Sequence, residues 1–283
     1  MTDNKTQSPG IIAIVVFYNN EVAESVTCAR IRKRNDVRLL VVDNSTKSTS
    51  NQEYCKENCI RYISMQGNKG LSKAYNAAIE SDTDCDVFII LDDDTDVPDE
   101  YFDKLKDALM ERPEVDIFVP FIRGQNGIMY SPNSYCFFKN RLIKSTDDTI
   151  RQDRFNAISS CMAIRKRVFE NYRFNEKLFV DEVDHCFCRE QRERNKVFGI
   201  INIEVQQHFH QREQGITPQA ALNRIRIRIT DIFRHARIMG RKYIFAAFVK
   251  CVGLGIQLGI KSNSLRVGIN AILLSCKLVF MDE

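Results

Sequence analysis

A mostly parallel α/β sheet flanked by helices, with a helical extension at the C-terminal end, is the fold class that this 283-residue sequence predicts. Three observations predict it. Short apolar, β-branched runs alternate with helix-length segments. Each early run stops at a polar cluster, as strands do when they deliver residues to the carboxyl edge of a sheet. From about Ala220 the pattern changes to apolar residues in steps of three and four.

In order, Ile11 to Phe17 is a buried strand that runs into Tyr18-Asn19-Asn20, and Glu21 to Lys33 reads as a helix. Val37 to Val42 is a second buried strand stopped by the turn residues Asp43-Asn44-Ser45-Thr46, and Ile60 to Ser64 is a weaker third. After Gly67-Asn68-Lys69-Gly70, the spacing of Leu71, Ala74, Tyr75 and Ala78 predicts a helix over 71–80. Asp86 to Leu91 is the next buried strand and leads straight into Asp92-Asp93-Asp94. Pro98 opens an acidic-first helix to about Glu111, and Val115 to Phe121 is a fifth strand. Between Phe121 and Arg165 the alternation breaks down, which predicts an irregular layer. A helix near Asp181 to Arg194 and a strand near Lys196 to Val205 follow.

In the tail, Leu222, Ile225, Ile229, Ile232, Ala236, Met239 and Tyr243 predict a helix. From Arg224 to Lys242 it carries seven Arg or Lys residues and one acid, Asp231. The apolar stretch Tyr243 to Ile260 contains Lys250, Gln257 and three glycines, so it makes a poor single membrane span. Its basic, amphipathic character fits either peripheral docking on an anionic membrane or packing on the catalytic domain. The expected organisation is a disordered segment 1–10, an α/β domain 11–215 with halves 11–120 and 121–215, and a helical region 216–283.

A net charge of +4 is too small to point to nucleic acid as a partner. Ten cysteines, with no CxxC pair, read as reduced thiols. With a polar N-terminus they predict a cytoplasmic protein, with the inner membrane face as a docking place. Neither a GxGxxG nor a GxxxxGK[ST] signature occurs.

Chemistry is expected at four clusters. Asp92, Asp93 and Asp94 at a strand terminus would repel one another without a cation, and two of them in extended chain can share one face; they are candidate ligands for Mn²⁺ or Mg²⁺ holding a diphosphate. A solvated acidic turn is the plain alternative. Asp43 can accept hydrogen bonds from a base or ribose, and one of Lys69 and Lys73, at a helix start, can meet a phosphate. Asp181, Glu182 and Asp184 offer a base for deprotonating an acceptor hydroxyl, although acids at a helix N-terminus also complement its dipole.

Taken together, VVFYNN (15–20), VVDNST (41–46), GNKGLSKAYNAAI (67–79), LDDDTDVP (91–98), ISSCMAIRKRVFE (158–170), FNEKLFVDEVDHCFCRE (174–190) and VQQHFHQ (205–211) resemble the family 2 glycosyltransferases, especially the rhamnosyltransferase-like group that builds bacterial surface polysaccharides such as O-antigen and capsule. The resemblance implies the GT-A, Rossmann-like fold and an inverting displacement. The donor would be a nucleotide-diphosphate sugar of the dTDP-rhamnose or UDP-hexose type, and the acceptor a glycan or lipid-linked oligosaccharide. It implies nucleotide contacts from Phe17, Tyr18, Asn19 and Asp43, and a donor loop shaped by Asn68, Gly70, Lys73 and Asn76. Asp92 and Asp94 would be the two-acid metal motif, with Asp93 beside the donor and His208, or alternatively His210, near the metal. Among the three carboxylates it favours Asp181 as base, with Asp184 and Arg189 orienting it or meeting the acceptor. Homo-oligomerisation is compatible with it. A non-catalytic sugar-nucleotide-binding protein, a sugar nucleotidyltransferase and a zinc module built on His185, Cys186, Cys188, His208 and His210 are the competing readings.

Overall fold

A computed structural model describes residues 9–82, 84–136, 139–209 and 217–281. The expected disordered start up to residue 8, His210 and the domain boundary at 215/216 lie outside the described residues. The parallel core is built from β1 (Ile11–Phe17), β2 (Val37–Asp43), β3 (Arg61–Ser64) and β4 (Val87–Leu91). Two outer strands, β5 (Ile117–Gly124) and β11 (Phe198–Gln207), pair in parallel with each other. The order across the sheet is β11-β5-β10-β4-β1-β2-β3, with β10 spanning Met162–Arg165 and β6 (Met129–Ser131) folding back on β5.

Register sets the working edge. Phe17 pairs with Asp43, Asp43 with Ser64, and Val15 with Leu91, so β1 to β4 all end at one level. β10 runs antiparallel between β4 and β5 and was not foreseen, because four residues within an irregular stretch carry too little periodicity. Its direction brings its amino end to the edge where its neighbours have their carboxyl ends, so Ser160 arrives beside Asp92. The rest of the expected irregular layer includes a separate antiparallel sheet of β7 (Asn133–Cys136), β8 (Lys139–Leu142) and β9 (Phe155–Asn156).

Strand alternation divides the core between the two faces. Ile11, Ala13, Val15 and Phe17 pack with Cys28, Ile31, Cys55 and Phe102, which come from α1 (Val26–Ile31), α2 (Asn51–Glu57) and α4 (Asp99–Glu111). Ile12 and Ile14 pack on the opposite side with Ala74, Tyr75, Cys186 and Phe187, from α3 (Leu71–Ser81) and α5 (Val183–Glu193). The helix expected over 21–33 is divided at Ser25. Its Oγ accepts from the Cys28 amide (3.1 Å) to cap α1 and donates to the Asp93 carbonyl (2.6 Å), which ties α1 to the acidic turn. Helix α2 gave little signal, since Tyr54 and Cys55 are almost its only apolar residues.

A third core belongs to α6 (Pro218–Met239), α7 (Ile244–Lys261) and α8 (Leu265–Val279), where Ile225, Ile229, Ile232 and Phe233 meet Ala247, Cys251 and Ala271. Helices α7 and α8 cross closely. A Cβ at Gly255 would lie 2.5 Å from that of Ala271, so only glycine fits there. Large apolar side chains remain outside: Phe245, Ile260, Leu265 and Phe280 are each at least three-quarters exposed.

Candidate active site

Three acidic groups and two loops converge at the carboxyl edge. Asp43 is 4% exposed and accepts from the Ser45 amide (2.9 Å), Thr49 Oγ1 (3.1 Å), Asn51 Nδ2 (3.0 Å) and Tyr62 Oη (3.0 Å). Burial pushes its pKa up, but the bonds from Ser45, Asn51 and Tyr62 outweigh burial and hold it below the usual carboxylate value. Asn19, with φ 60°, accepts from the amides of Thr46 (2.9 Å) and Lys47 (3.0 Å), so it braces the loop after β2. Tyr18 stands half exposed at the mouth. Phe17 is 0% exposed, so its expected contact with nucleotide is corrected: strand alternation turns its ring into the core, and its carbonyl anchors the Asn44 amide (2.9 Å).

The donor loop is joined to this one. Asn44 Nδ2 donates to Asn68 Oδ1 (3.1 Å), which also accepts from the Gly70 amide (3.1 Å), while Asn44 Oδ1 accepts from the Lys69 amide (2.7 Å). Gly70 has φ 89°, and a Cβ there would stand 2.6 Å from the Phe179 ring and 2.7 Å from its carbonyl. That carbonyl accepts from the Leu71 amide (2.6 Å). Both steric demands exclude a side chain at Gly70. Lys69 and Lys73 are exposed. Asn76 is buried and clamps the backbone of Phe174 (Nδ2 to carbonyl 3.0 Å, amide to Oδ1 2.9 Å), so it shapes the site from beneath rather than facing the donor.

After Leu91 the chain turns instead of staying extended, so the expected sharing of one face by Asp92 and Asp94 does not follow from strand geometry. Asp92 Oδ2 accepts from Ser160 Oγ (2.6 Å) and from Gln207 Nε2. Asp93 Oδ2 accepts from Asn20 Nδ2 (2.7 Å), and Asp94 is exposed. Burial raises the Asp92 pKa; Ser160 and Gln207 oppose that rise, and the charges of Asp94 and Asp184 add to it. Burial likewise raises Asp93, opposed by Asn20 and reinforced by Asp94 and Asp92. Such mutually penalised carboxylates fit a divalent cation, as does the buried Gln207 Oε1, which has no hydrogen-bond partner among the described residues. Among the described residues no three His, Cys, Asp or Glu side chains enclose an ion by themselves, as is usual where substrate phosphates complete the shell. His208 lies past the end of β11 and is exposed. Gln207, on the opposite side of the strand, is the group that reaches Asp92, and sequence reasoning missed it together with Ser160 and Asn20. The only signal for Gln207 was its position one residue before His208.

The third acidic group is divided in its tasks. Asp181 is gripped by both Nη atoms of Arg224, one bond measuring 2.8 Å, with Arg228 Nε at 3.9 Å. Glu182 is buried at φ 63° and accepts from His235 Nδ1 (2.9 Å) and Lys250 Nζ (2.8 Å). Asp184, in the first turn of α5, accepts through Oδ1 from the His185 amide (2.7 Å), and its other oxygen has no partner among the described residues. Its charge is felt by Asp92 and by the buried Tyr75, whose hydroxyl burial holds far above its ordinary pKa. Cys186 and Cys188 are buried thiols, Cys188 pushed up to about 12 by burial, which suits packing rather than zinc.

The family described as Glycosyl transferase family 2 matches residues 12–173. The dTDP-rhamnosyl transferase RfbF of Shigella flexneri is 28% identical over 185 residues, covering 63% of this chain and 62% of that protein, so the chain spans less than two thirds of the curated relative's length. Among solved structures, GalNAc-T7 with UDP, GalNAc and Mn²⁺ superposes with a TM-score of 0.55 at 14% identity, over 80% of this chain and 48% of that one. S. aureus TarS 1-349 in complex with UDP superposes at 0.53 and 15% identity, over 95% and 81%. These two likenesses show the fold.

Proposed function

Because this chain belongs to glycosyltransferase family 2, we propose that it moves a sugar from a nucleoside-diphosphate donor, of the dTDP-rhamnose or UDP-hexose type, to a glycan or lipid-linked acceptor during surface-polysaccharide assembly. The observation that carries this reading is the convergence of Asp43, the turn Asp92-Asp93-Asp94 and Asp184 at one sheet edge. Tyr18 would stack on the base, Asp43 and Asn19 would hold the loop that meets the nucleoside, and Gly70 and Lys73 would border the diphosphate. Asp94 and Asp92 would hold Mn²⁺ or Mg²⁺, which when bound neutralises charge on the departing diphosphate. Transfer would be a single displacement with inversion. The acceptor hydroxyl gives its proton to a carboxylate, its oxygen bonds to the anomeric carbon, and the bond to the diphosphate breaks. Asp184 is our choice of base in place of Asp181, because the oxygens of Asp181 and Glu182 are committed to Arg224, His235 and Lys250, while Asp184 lies near enough to Asp92 for its charge to raise that carboxyl.

Purified protein given a panel of nucleotide sugars with Mn²⁺ or Mg²⁺ and lipid-linked acceptor is expected to release nucleoside diphosphate from one donor only, and to lose this on chelation or in Asp94→Ala. Failure to bind any nucleotide sugar sinks the reading; binding without release favours a non-catalytic protein, and pyrophosphate release from a nucleoside triphosphate favours a nucleotidyltransferase.

The same reading places the enzyme at the cytoplasmic membrane face, with α7 and α8 lying on the surface. Among the described residues one segment, Arg241–Lys261, is long and apolar enough to cross a bilayer. Spanning would tear Lys250 from Glu182, so we favour a surface position. Exposed Phe245, Ile260, Leu265 and Phe280 would enter the interface, and Arg241, Lys242, Lys261, Arg266 and Lys277 would meet anionic headgroups. Co-sedimentation with phosphatidylglycerol vesicles is expected, weakened by high salt and by Phe245→Glu with Leu265→Glu. Equal retention by the double variant would argue against this orientation.

A further inference from the structure

Helix α6 turns one face toward the segment before α5, and the side chains on that face are unusual for a core contact. Arg224, Arg228, Asp231 and His235 follow at steps of four, three and four, so they stack along one side of the helix. Each meets residues 179–182. Asp231 is 0% exposed and accepts three successive amides: Phe179 to Oδ1 (3.1 Å), Val180 to Oδ2 (2.8 Å) and Asp181 to Oδ2 (2.9 Å). Arg224 grips the Asp181 carboxylate, Arg228 stands behind it, and His235 reaches Glu182. Three consecutive amides directed at one carboxylate form an anion nest supplied from within the protein.

The strained backbone of this segment needs such support. Glu182 lies at φ 63°, a conformation costly for a glutamate, and so persists only where surrounding contacts over-determine it. On its other side, Phe179 touches Gly70 and accepts from the Leu71 amide, so the same four residues lie between the donor loop and α6. The positively charged arms of α6 and the acids of the loop are therefore matched in sign as well as position. The match to the family ends at residue 173, so neither the loop nor the helix that holds it falls within that span.

We infer that α6 positions the loop that leads into the base: Asp231 fixes its backbone and Arg224 fixes Asp181, which sets Asp184 at the start of α5. Arg224, Asp231 and Asp181 are positioning residues, and none of them exchanges a proton with substrate. The inference rests on the proposed transfer only for its kinetic consequence; the mechanical link stands separately.

Arg224 is partly exposed, so its replacement should leave the fold intact. Arg224→Ala is expected to lower kcat about 10- to 100-fold, the scale of a misplaced catalytic group, with donor KM within about twofold of wild type. Arg224→Lys keeps charge without the two-pronged grip and should recover only part of the loss. Asp181→Asn should cost a similar factor, and the double variant Arg224→Ala with Asp181→Asn should lose no more than either single change, since both break one contact. Amide exchange at Val180 and Asp181 supplies a readout that needs no turnover: it should be slow in wild type and at least about tenfold faster in Arg224→Ala and Asp231→Asn. Unchanged exchange in both variants overturns the inference whatever the enzyme's activity. Faster exchange with an unaltered kcat retains the strut and overturns its role in transfer, while an inactive wild type with faster exchange in the variants counts against the proposed function alone.

Discussion

Asp184→Asn is expected to reduce sugar transfer by about 10²- to 10⁴-fold, the usual worth of a positioned general base, while donor binding is preserved. Asparagine matches aspartate in shape and keeps an acceptor for the His185 amide, 2.7 Å from Oδ1, so the start of α5 has no reason to move. What disappears is an oxygen able to take the acceptor's proton. Asp184 is also one of the charges that raise Asp92, so its neutralisation makes Asp92 easier to ionise and should not weaken cation binding. The loss should therefore appear in kcat, with the donor's KM and metal requirement nearly unchanged. Single-turnover measurements on Asp184→Asn beside Asp181→Asn decide the matter. A deeper loss for Asp181→Asn would return the base to Asp181 and make its grip by Arg224 a resting arrangement released on acceptor binding.

Much of this site was legible because parallel strands announce themselves twice, by a continuous apolar run and by the polar residues at its end. Asp43 and Asp92 were found in that way, and register placed them on one edge. Contacts across the sheet were not legible. Ser160 reaches Asp92 only because β10 is antiparallel, and nothing in Met162–Arg165 distinguishes that direction. Gln207 and His208 are adjacent in sequence but face opposite sides, and a one-residue error in register exchanges them. The acidic run Asp181-Glu182-Val183-Asp184 looked like one functional cluster, yet a residue at positive φ separates its members into two ion-paired groups and one open carboxylate. The partners of the first two lie about 40 to 70 residues further along, on α6 and α7, in a tail whose charges resembled a membrane-facing surface. Their four-three-four spacing was present in the sequence, but an alternating Arg-Ile pattern hid it.

Glu182→Gln should be the most damaging change outside the reacting groups, costing about 3 kcal/mol of stability, because breaking one side of a buried ion pair leaves its partners uncompensated. Lys250 is 23% exposed and can turn toward water, which keeps the cost at the low end of that range. His235 has no such relief: it is 0% exposed, its Nε2 already lacks a partner among the described residues, and a carboxylate acceptor fixes the proton on Nδ1. Burial pushes Glu182 toward protonation, but Lys250, His235 and His185 together hold it well below the ordinary glutamate value. The sign of the pH dependence follows from that depression. Stabilisation by the ionised form is complete above the unfolded-state value of about 4.3 and declines as pH falls below it toward the lower folded value. The difference between wild type and Glu182→Gln should thus be constant from pH 7 to about pH 5, worth roughly 10 °C in melting temperature, and shrink as the medium is acidified further. Melting curves across that range test it. A difference that stayed the same to pH 3 would mean that shape and hydrogen bonding, rather than charge, hold Glu182 in place, and the link from α7 to the catalytic loop would then be steric.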